Sequence, residues 1–286
     1  MKKIINKKIN RKIAIISGTG SLPRLLSEEL LTKRIEHSVV YFSKLAPEWV
    51  SPNVNIISGK IEQIGSTFKE LQSNDYSEIV FAGASERPKL DLKIADKTFL
   101  ALVPNIQKAM KAGDDTILRL LVQIFENEGF KVIGSQEILP SLLPSAGVLT
   151  QNHPSAQDNI DIDRARDIVS KLGDVDVGQA SVVSNGLCFG VETIQGTEKM
   201  LEFVRNNSDM NAQGSACKSG VFVKNIKIKQ SRLIDFPVIG PDTIKQVSNA
   251  KLNGIAIFYN NVFVLDISET IALANKKGIF ISVIAE

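Results

Sequence analysis

Residues 13–31 read IAIISGTGSLPRLLSEELL. A short apolar run (IAIIS, 13–17) meets a turn of small residues (GTGS, 18–21), and leucines then recur at 22, 25, 26, 30 and 31. Leucines spaced by three and four share one face of a helix, so the stretch reads as strand, tight loop, helix. Pro23 fits the first helical turn, where its missing N–H breaks no hydrogen bond. The amides of Gly18 to Ser21 are expected to face outward at the positive end of that helix, a place that suits a phosphate. Downstream, SVVYF (38–42), NVNII (53–57), EIVFAG (78–83) and FKVIG (130–134) alternate with helical patterns near 61–73, 94–111 and 115–128. This alternation predicts an α/β fold, with a Rossmann-like N-terminal domain and a mainly parallel sheet over residues 1–137.

The next segment, PSLLPSAGVLTQNHP (140–154), carries three prolines and a glycine. That composition disfavours regular structure and predicts a linker, drawn at 138–155. Residues 156–286 are expected to form a mixed α/β C-terminal catalytic domain. It would begin with a helix from about Asp158 to Leu172. In SVVSNGLCFGVE (181–192), Asn185-Gly186 separates two apolar runs as a type I′ hairpin requires. IAIFYNNVFVLD (255–266) echoes that pattern, and a helix near 268–276 precedes a final strand, GIFISVIA.

The 286 residues carry 34 Lys and Arg against 31 Asp and Glu, and 43% are hydrophobic. Such a chain can bury a large core, which excludes disorder and collagen-like repeats. Charged or polar residues break every apolar run, so none reaches the roughly 18–20 residues that span a bilayer. The basic start, MKKIINKKINRK, has no apolar signal core, and the chain is expected in the cytoplasm. A net charge of +3 and few interleaved aromatics argue against nucleic acid as a partner. With Cys188 and Cys217 as the two cysteines, a disulfide framework is excluded, and Cys188 in its apolar run reads as a reduced structural thiol. The two histidines, His37 and His153, leave a zinc site short of ligands. Any metal is therefore expected on carboxylates, which favours Mg²⁺ with Mn²⁺ as the alternative.

Several motifs carry two readings. Gly18-Thr19-Gly20 opens a dinucleotide fingerprint, but Pro23 replaces its third glycine and Tyr41-Phe42-Ser43-Lys44 offers no acid for a ribose. The bland reading is a tight turn without a ligand. In Gly113-Asp114-Asp115, helix capping accounts for both acids, and a hydrogen bond to a base or sugar is the alternative. Asp174-Val175-Asp176-Val177-Gly178-Gln179 is a polar turn or a site. Arg87, before Pro88, is a loop cation where ligands of open α/β sheets bind. Lys224, Lys227, Lys229, Gln230, Arg232 and Asp235 make a polar surface strand by default. Otherwise Asp235 holds Mg²⁺ beside phosphate-binding cations.

Seven blocks occur in one order: GTGSLP (18–23), FAG and RP (81–88), GDD (113–115), DVGQASVV (176–183), VETIQGTEKML (191–201), Lys224 and DFPVIGPDTI (235–244). Together they resemble the LpxI-type UDP-2,3-diacylglucosamine pyrophosphatases over nearly the whole chain. The resemblance implies hydrolysis of the pyrophosphate to UMP and the acylated sugar phosphate lipid X, in lipid A synthesis. It also implies a divalent cation, typically Mg²⁺, attack at the sugar-side phosphorus, and a substrate held between two domains. The family's essential aspartate falls on Asp235, followed by Phe236 where the family has leucine. Gly20, Ser21, Gly83, Asp114, Gln179, Thr197, Lys224 and Thr243 fall on positions expected around UDP or the phosphates. The family's G-T-D is Gly196-Thr197-Glu198 here, and Ala84 stands where asparagine is frequent. A UDP-linked diacylated sugar lipid further implies visits to the cytoplasmic (inner) membrane surface; the basic residues Lys2 to Lys12 either add roughly 1 kcal/mol each near anionic lipid or form a frayed solvated tail. A homodimer is the family-level expectation. The competing functions are a non-catalytic nucleotide-sugar or lipid-binding protein and a nucleotide-dependent oxidoreductase.

Overall fold

The apolar run at 13–17 forms β1 (Lys12–Ser17), the middle strand of a five-stranded sheet. A computed structural model describes residues 11–42, 46–84, 90–112, 114–207, 219–228 and 230–285, with backbone alone at 112, 114 and 115. Expectations placed on residues 2–10, Arg87, Pro88, Gly113, Cys217 and Lys229 fall outside the described residues, as does the side chain of Asp114. The chain divides into two units, Met1–Pro140 with Ser231–Asp235, and Ser141–Gln230 with Phe236–Glu286.

In the first unit β1 is followed by α1 (Leu22–Thr32), β2 (Glu36–Tyr41), β3 (Asn55–Ser58), α2 (Ile64–Ser73) and β4 (Glu78–Ala82). Then come α3 (Lys97–Ala112), α4 (Asp114–Asn127), β5 (Lys131–Val132) and the short α5 (Ser135–Ile138). The sheet order is β3-β2-β1-β4-β5 with every pairing parallel. Because both faces are covered, β1 is buried at four successive residues, Ile13 to Ile16, as a continuous apolar run in a parallel sheet should be. One face packs on Phe68, Phe99, Phe125 and Phe130, with Phe68 and Phe81 each edge-on to Phe125 at about 5 Å. From β1 the chain runs outward through β2 and β3, then returns to the other side of β1 as β4. The C-terminal ends of β1 and β4 therefore flank the topological switch point, where open α/β sheets bind ligands.

His37 on β2 is 5% exposed. Its Nδ1 lies 3.1 Å from the Ile35 carbonyl, which can only accept, so the proton sits there and Nε2 accepts from the Ser27 hydroxyl at 2.8 Å. Burial lowers the His37 pKa from its ordinary 6.5, against the smaller opposing effect of the Ile35 hydrogen bond. Below about pH 6.5 the unfolded chain takes up a proton that the folded chain resists. Stability from this residue is thus complete above that value and is lost as pH falls towards the folded pKa. Urea midpoints measured from pH 7.5 to 5.5 should fall in the wild type and fall less in His37→Gln; equal slopes would remove His37 as the cause.

The second unit contains β6 (Gly147–Val148), α6 (Ala156–Asp174), β7 (Ala180–Ser184), β8 (Leu187–Val191), α7 (Gly196–Asn206) and β9 (Val221–Lys224). It continues with β10 (Val238–Ile239), α8 (Pro241–Asn249), β11 (Gly254–Phe258), β12 (Phe263–Val264), α9 (Ile267–Lys277) and β13 (Phe280–Ile284). Its main sheet is mixed, in the order β6-β13-β11-β9-β7-β8. β13, β11 and β9 pair in parallel, and the pairs β6/β13, β9/β7 and β7/β8 are antiparallel. Helix α6 packs through Ile162, Ala165 and Val169 on one face. Helices α7, α8 and α9 cover the other through Met200, Leu201, Val204, Ile244, Val247 and Ala274.

Asn185 and Gly186 both have positive φ, 49° and 78°, as the hairpin reading requires. Asp161, 1% exposed on α6, accepts their two amides at 2.9 and 2.7 Å, plus the Gln157 amide at 3.1 Å. Asp161→Ala strands those donors and should cost about 1–3 kcal/mol in chemical denaturation. An unchanged midpoint would show that the turn does not need its anchor.

Three expectations are corrected. IAIFYNNVFVLD does not fold back on itself: Asn260 has positive φ but Asn261 does not, so a type I′ turn is lacking. β12 instead pairs in parallel with β10, as the Phe263 amide bonds the Pro237 carbonyl and Leu265 the Ile239 carbonyl. The proline-rich 140–154 segment is not without regular structure, because β6 adds to the edge of β13 and the Thr150 hydroxyl accepts the Ile281 amide at 2.9 Å. Cys188 is an exposed free thiol, since its apolar run is the edge strand β8.

Candidate active site

The loops after β1 and β4 are locked together. Thr19 and Ala84 exchange backbone hydrogen bonds at 2.8 and 3.0 Å, and the Gly18 amide bonds the Ala82 carbonyl at 2.7 Å. Glycines permit this approach: a Cβ on Gly18 would stand 2.3 Å from the Ala84 oxygen, and one on Gly83 2.4 Å from the Thr19 oxygen. Gly83 also has φ +90°. The four outward-facing amides expected from 18–21 are therefore corrected, because those of Gly18 and Thr19 are consumed in holding the two loops. Gly20, exposed with φ +94°, and Ser21, the N-cap of α1, carry the chain into the helix. The Ser21 side chain makes no cap hydrogen bond, and Pro23 lies in the first turn. First-turn amides have no partner within the helix and lie at its positive end, so an anion is favoured beside Gly20 and Ser21.

Asp235 groups with this same unit, whereas a boundary at 155/156 assigns it to the second. Leu233 and Ile234 pack against the N-terminal core, and Gln136 on α5 donates to the Arg232 carbonyl at 3.2 Å. The Asp235 amide closes a turn on the Ser231 carbonyl at 3.1 Å. Its half-buried carboxylate thus sits at the end of a five-residue segment fixed by apolar anchors. The next residue, Phe236, stacks on Phe263 of the second unit at 4.1 Å, so the substitution for leucine has a packing role of its own.

In the second unit Lys224 corrects the surface-strand default. It ends β9, which lies between β7 and β11, and is 6% exposed. Its ammonium donates to the Thr197 hydroxyl at 2.9 Å, and that hydroxyl donates to Oε1 of Glu192 at 2.7 Å. Glu192 is 7% exposed, and its Oε2 has no hydrogen-bond partner among the described residues. Glu192 stands inside the VETIQGTEKML block, but a buried acid five residues before Thr197 has no local signature that marks it in the sequence. Gln179 precedes β7, accepts the Asn225 amide on its carbonyl at 3.0 Å, and has a buried side-chain oxygen, Oε1, without a partner among the described residues. Gly178 is needed because a Cβ there would fall 1.9 Å from the Glu192 carbonyl oxygen. Asp176 is the polar-turn reading realised, with φ 57° and an ion pair to Lys227 at 2.6 Å.

Thr243 has a local duty, accepting the Gly240 amide at 3.2 Å at the start of α8. Helix α4 begins at Asp114 itself. Glu198, in place of the family's aspartate, is exposed on the first turn of α7. Among the described residues no three His, Cys, Asp or Glu side chains converge as a metal cage.

Two family models match the chain: the LpxI N-terminal domain over residues 12–142 and the LpxI C-terminal domain over 145–282. The UDP-2,3-diacylglucosamine pyrophosphatase LpxI of Caulobacter vibrioides is 30% identical over 274 residues, covering 95% of this chain and 96% of that protein.

Proposed function

The chain belongs to the LpxI family, and from that membership we infer that it is a UDP-2,3-diacylglucosamine pyrophosphatase of lipid A biosynthesis. The observation that carries this is the succession of both family domains along nearly the whole chain. The products on this reading are UMP and lipid X. The backbone amides of Gly20 and Ser21, leading into the first turn of α1, receive phosphate oxygens, with Gly83 giving the loop its close approach. Lys224 offsets phosphate charge from a buried site, where a cation acts more strongly than in water. Gln179, Thr197, Thr243 and Asp114 complete the proposed substrate contacts.

Asp235 is the proposed catalytic carboxylate and the protein's ligand to Mg²⁺, or to Mn²⁺ in its place. Bound there, the ion supplies charge neutralisation at the phosphates. Water attacks the sugar-side phosphorus, the bond from that phosphorus to the bridging oxygen breaks, and UMP leaves with the bridging oxygen. The substrate's acyl chains tie the reaction to the cytoplasmic membrane surface, and among the described residues no helix is long and apolar enough to cross it. A homodimer is part of the same family reading.

Hydrolysis in ¹⁸O water should place the label in the phosphate of lipid X, as read by mass spectrometry, and EDTA should stop the reaction until Mg²⁺ or Mn²⁺ is restored. Label in UMP would contradict the site of attack. Turnover undiminished by chelation would contradict the metal.

A further inference from the structure

We propose that Glu192 is a positioning residue of the pyrophosphatase site, fixing the Lys224 ammonium through the Thr197 hydroxyl. The inference rests on the reading of Lys224 as a phosphate contact. Ala180 of β7 pairs with Lys224 of β9 on one side, and its carbonyl accepts the Glu192 amide at 2.8 Å on the other. Residues opposite one another in a sheet present side chains to the same face. Glu192 and Lys224 thus flank Ala180, and α7 brings Thr197 between them, accepting from the ammonium and donating to the carboxylate.

The other buried carboxylates of this unit show what structural duty looks like. Asp158 receives the Ser155 amide and hydroxyl on one oxygen and the Asn253 side chain on the other. Asp161 likewise uses both oxygens, on Gln157, Asn185 and Gly186. Glu192 is also buried, yet one oxygen serves Thr197 and the other has no donor among the described residues. A buried carboxylate half used by its own fold calls for an explanation outside turn or cap chemistry. Its one partner leads to a cation at the end of β9. A lysine stem has several rotamers, and the charge-assisted chain through Thr197 selects one of them. Gly178 sets the Glu192 backbone against the start of β7, so the anchor itself is held.

The test measures UDP binding by calorimetry and the KM and kcat of UMP release for Glu192→Ala, Glu192→Gln, Thr197→Val and Thr197→Ser. Glu192→Ala should raise both the UDP Kd and KM about tenfold, with the larger share of the loss in KM and not in kcat, and Thr197→Val, which also removes a proposed substrate contact, should weaken UDP binding at least as much. Glu192→Gln and Thr197→Ser, which keep the hydrogen bond, should recover most of that affinity. A merely structural role would lower melting temperature and active fraction while leaving Kd unchanged in the folded protein, and that result overturns the proposal. So does a Glu192→Gln variant that binds as weakly as Glu192→Ala. Wild type that binds UDP but releases no UMP refutes the assigned reaction while the calorimetric series still decides the positioning role; wild type that fails to bind UDP refutes both.

Discussion

Asp235→Ala should lower kcat for UMP release by about 10³-fold or more while leaving the melting temperature and UDP affinity close to wild type. The expectation of an intact fold comes from what holds the segment. Leu233 and Ile234 supply its apolar anchors and Gln136 grips the Arg232 carbonyl, and none of these is removed with the carboxylate. The expectation of retained UDP binding comes from the distribution of roles. On the proposed roles, phosphate charge is met in the ground state by groups other than Asp235, and the Asp235 carboxylate would serve the metal and hence the transition state. Asp235→Asn keeps the shape and loses the charge, so it should be nearly as inactive. Normal turnover by either variant would remove Asp235 from the mechanism.

The second large effect is expected at the loop pair. Gly83→Val forces a side chain into φ +90° and against the Thr19 carbonyl, where even a Cβ would lie 2.4 Å from the oxygen. Backbone strain costs about 1–3 kcal/mol and the clash opens the Thr19–Ala84 bridge, for a total of about 3–5 kcal/mol. Melting should fall by about 6–15 °C, and UDP affinity with it. Gly20→Ala provides the comparison, because φ is +94° but, among the described residues other than its chain neighbours, no atom lies within 4 Å of the added Cβ. It should show the strain alone, a drop of about 2–9 °C. Equal effects at the two positions would mean that the close approach of the loops is not what stabilises them.

The first unit was legible because its signals are local. Strand, GTGS turn and leucine periodicity sit within nineteen residues, and parallel order follows from the alternation. The hairpin at Asn185-Gly186 was legible for the same reason. What escaped depends on distant partners. Residues 255–266 look like the hairpin, yet the edge offered by β10 captures β12. Lys224 looks like one cation of a surface run, and its burial comes from lying between β7 and β11 with Thr197 and Glu192 above it. Asp235 follows the cationic run in sequence, yet two apolar neighbours attach it to the other unit. The outward amides of the first loop were half right, since a motif shows donors but not the Ala82 and Ala84 carbonyls that consume two of them.

The most direct measurement is UMP release from UDP-2,3-diacylglucosamine by the purified wild-type chain with Mg²⁺, followed by phosphorus NMR with Asp235→Ala alongside. UMP and lipid X should appear in equal amounts with the wild type and stay at background with the variant. A wild-type chain that binds the substrate and leaves its pyrophosphate intact would contradict the assignment and leave a nucleotide-sugar lipid-binding protein in its place.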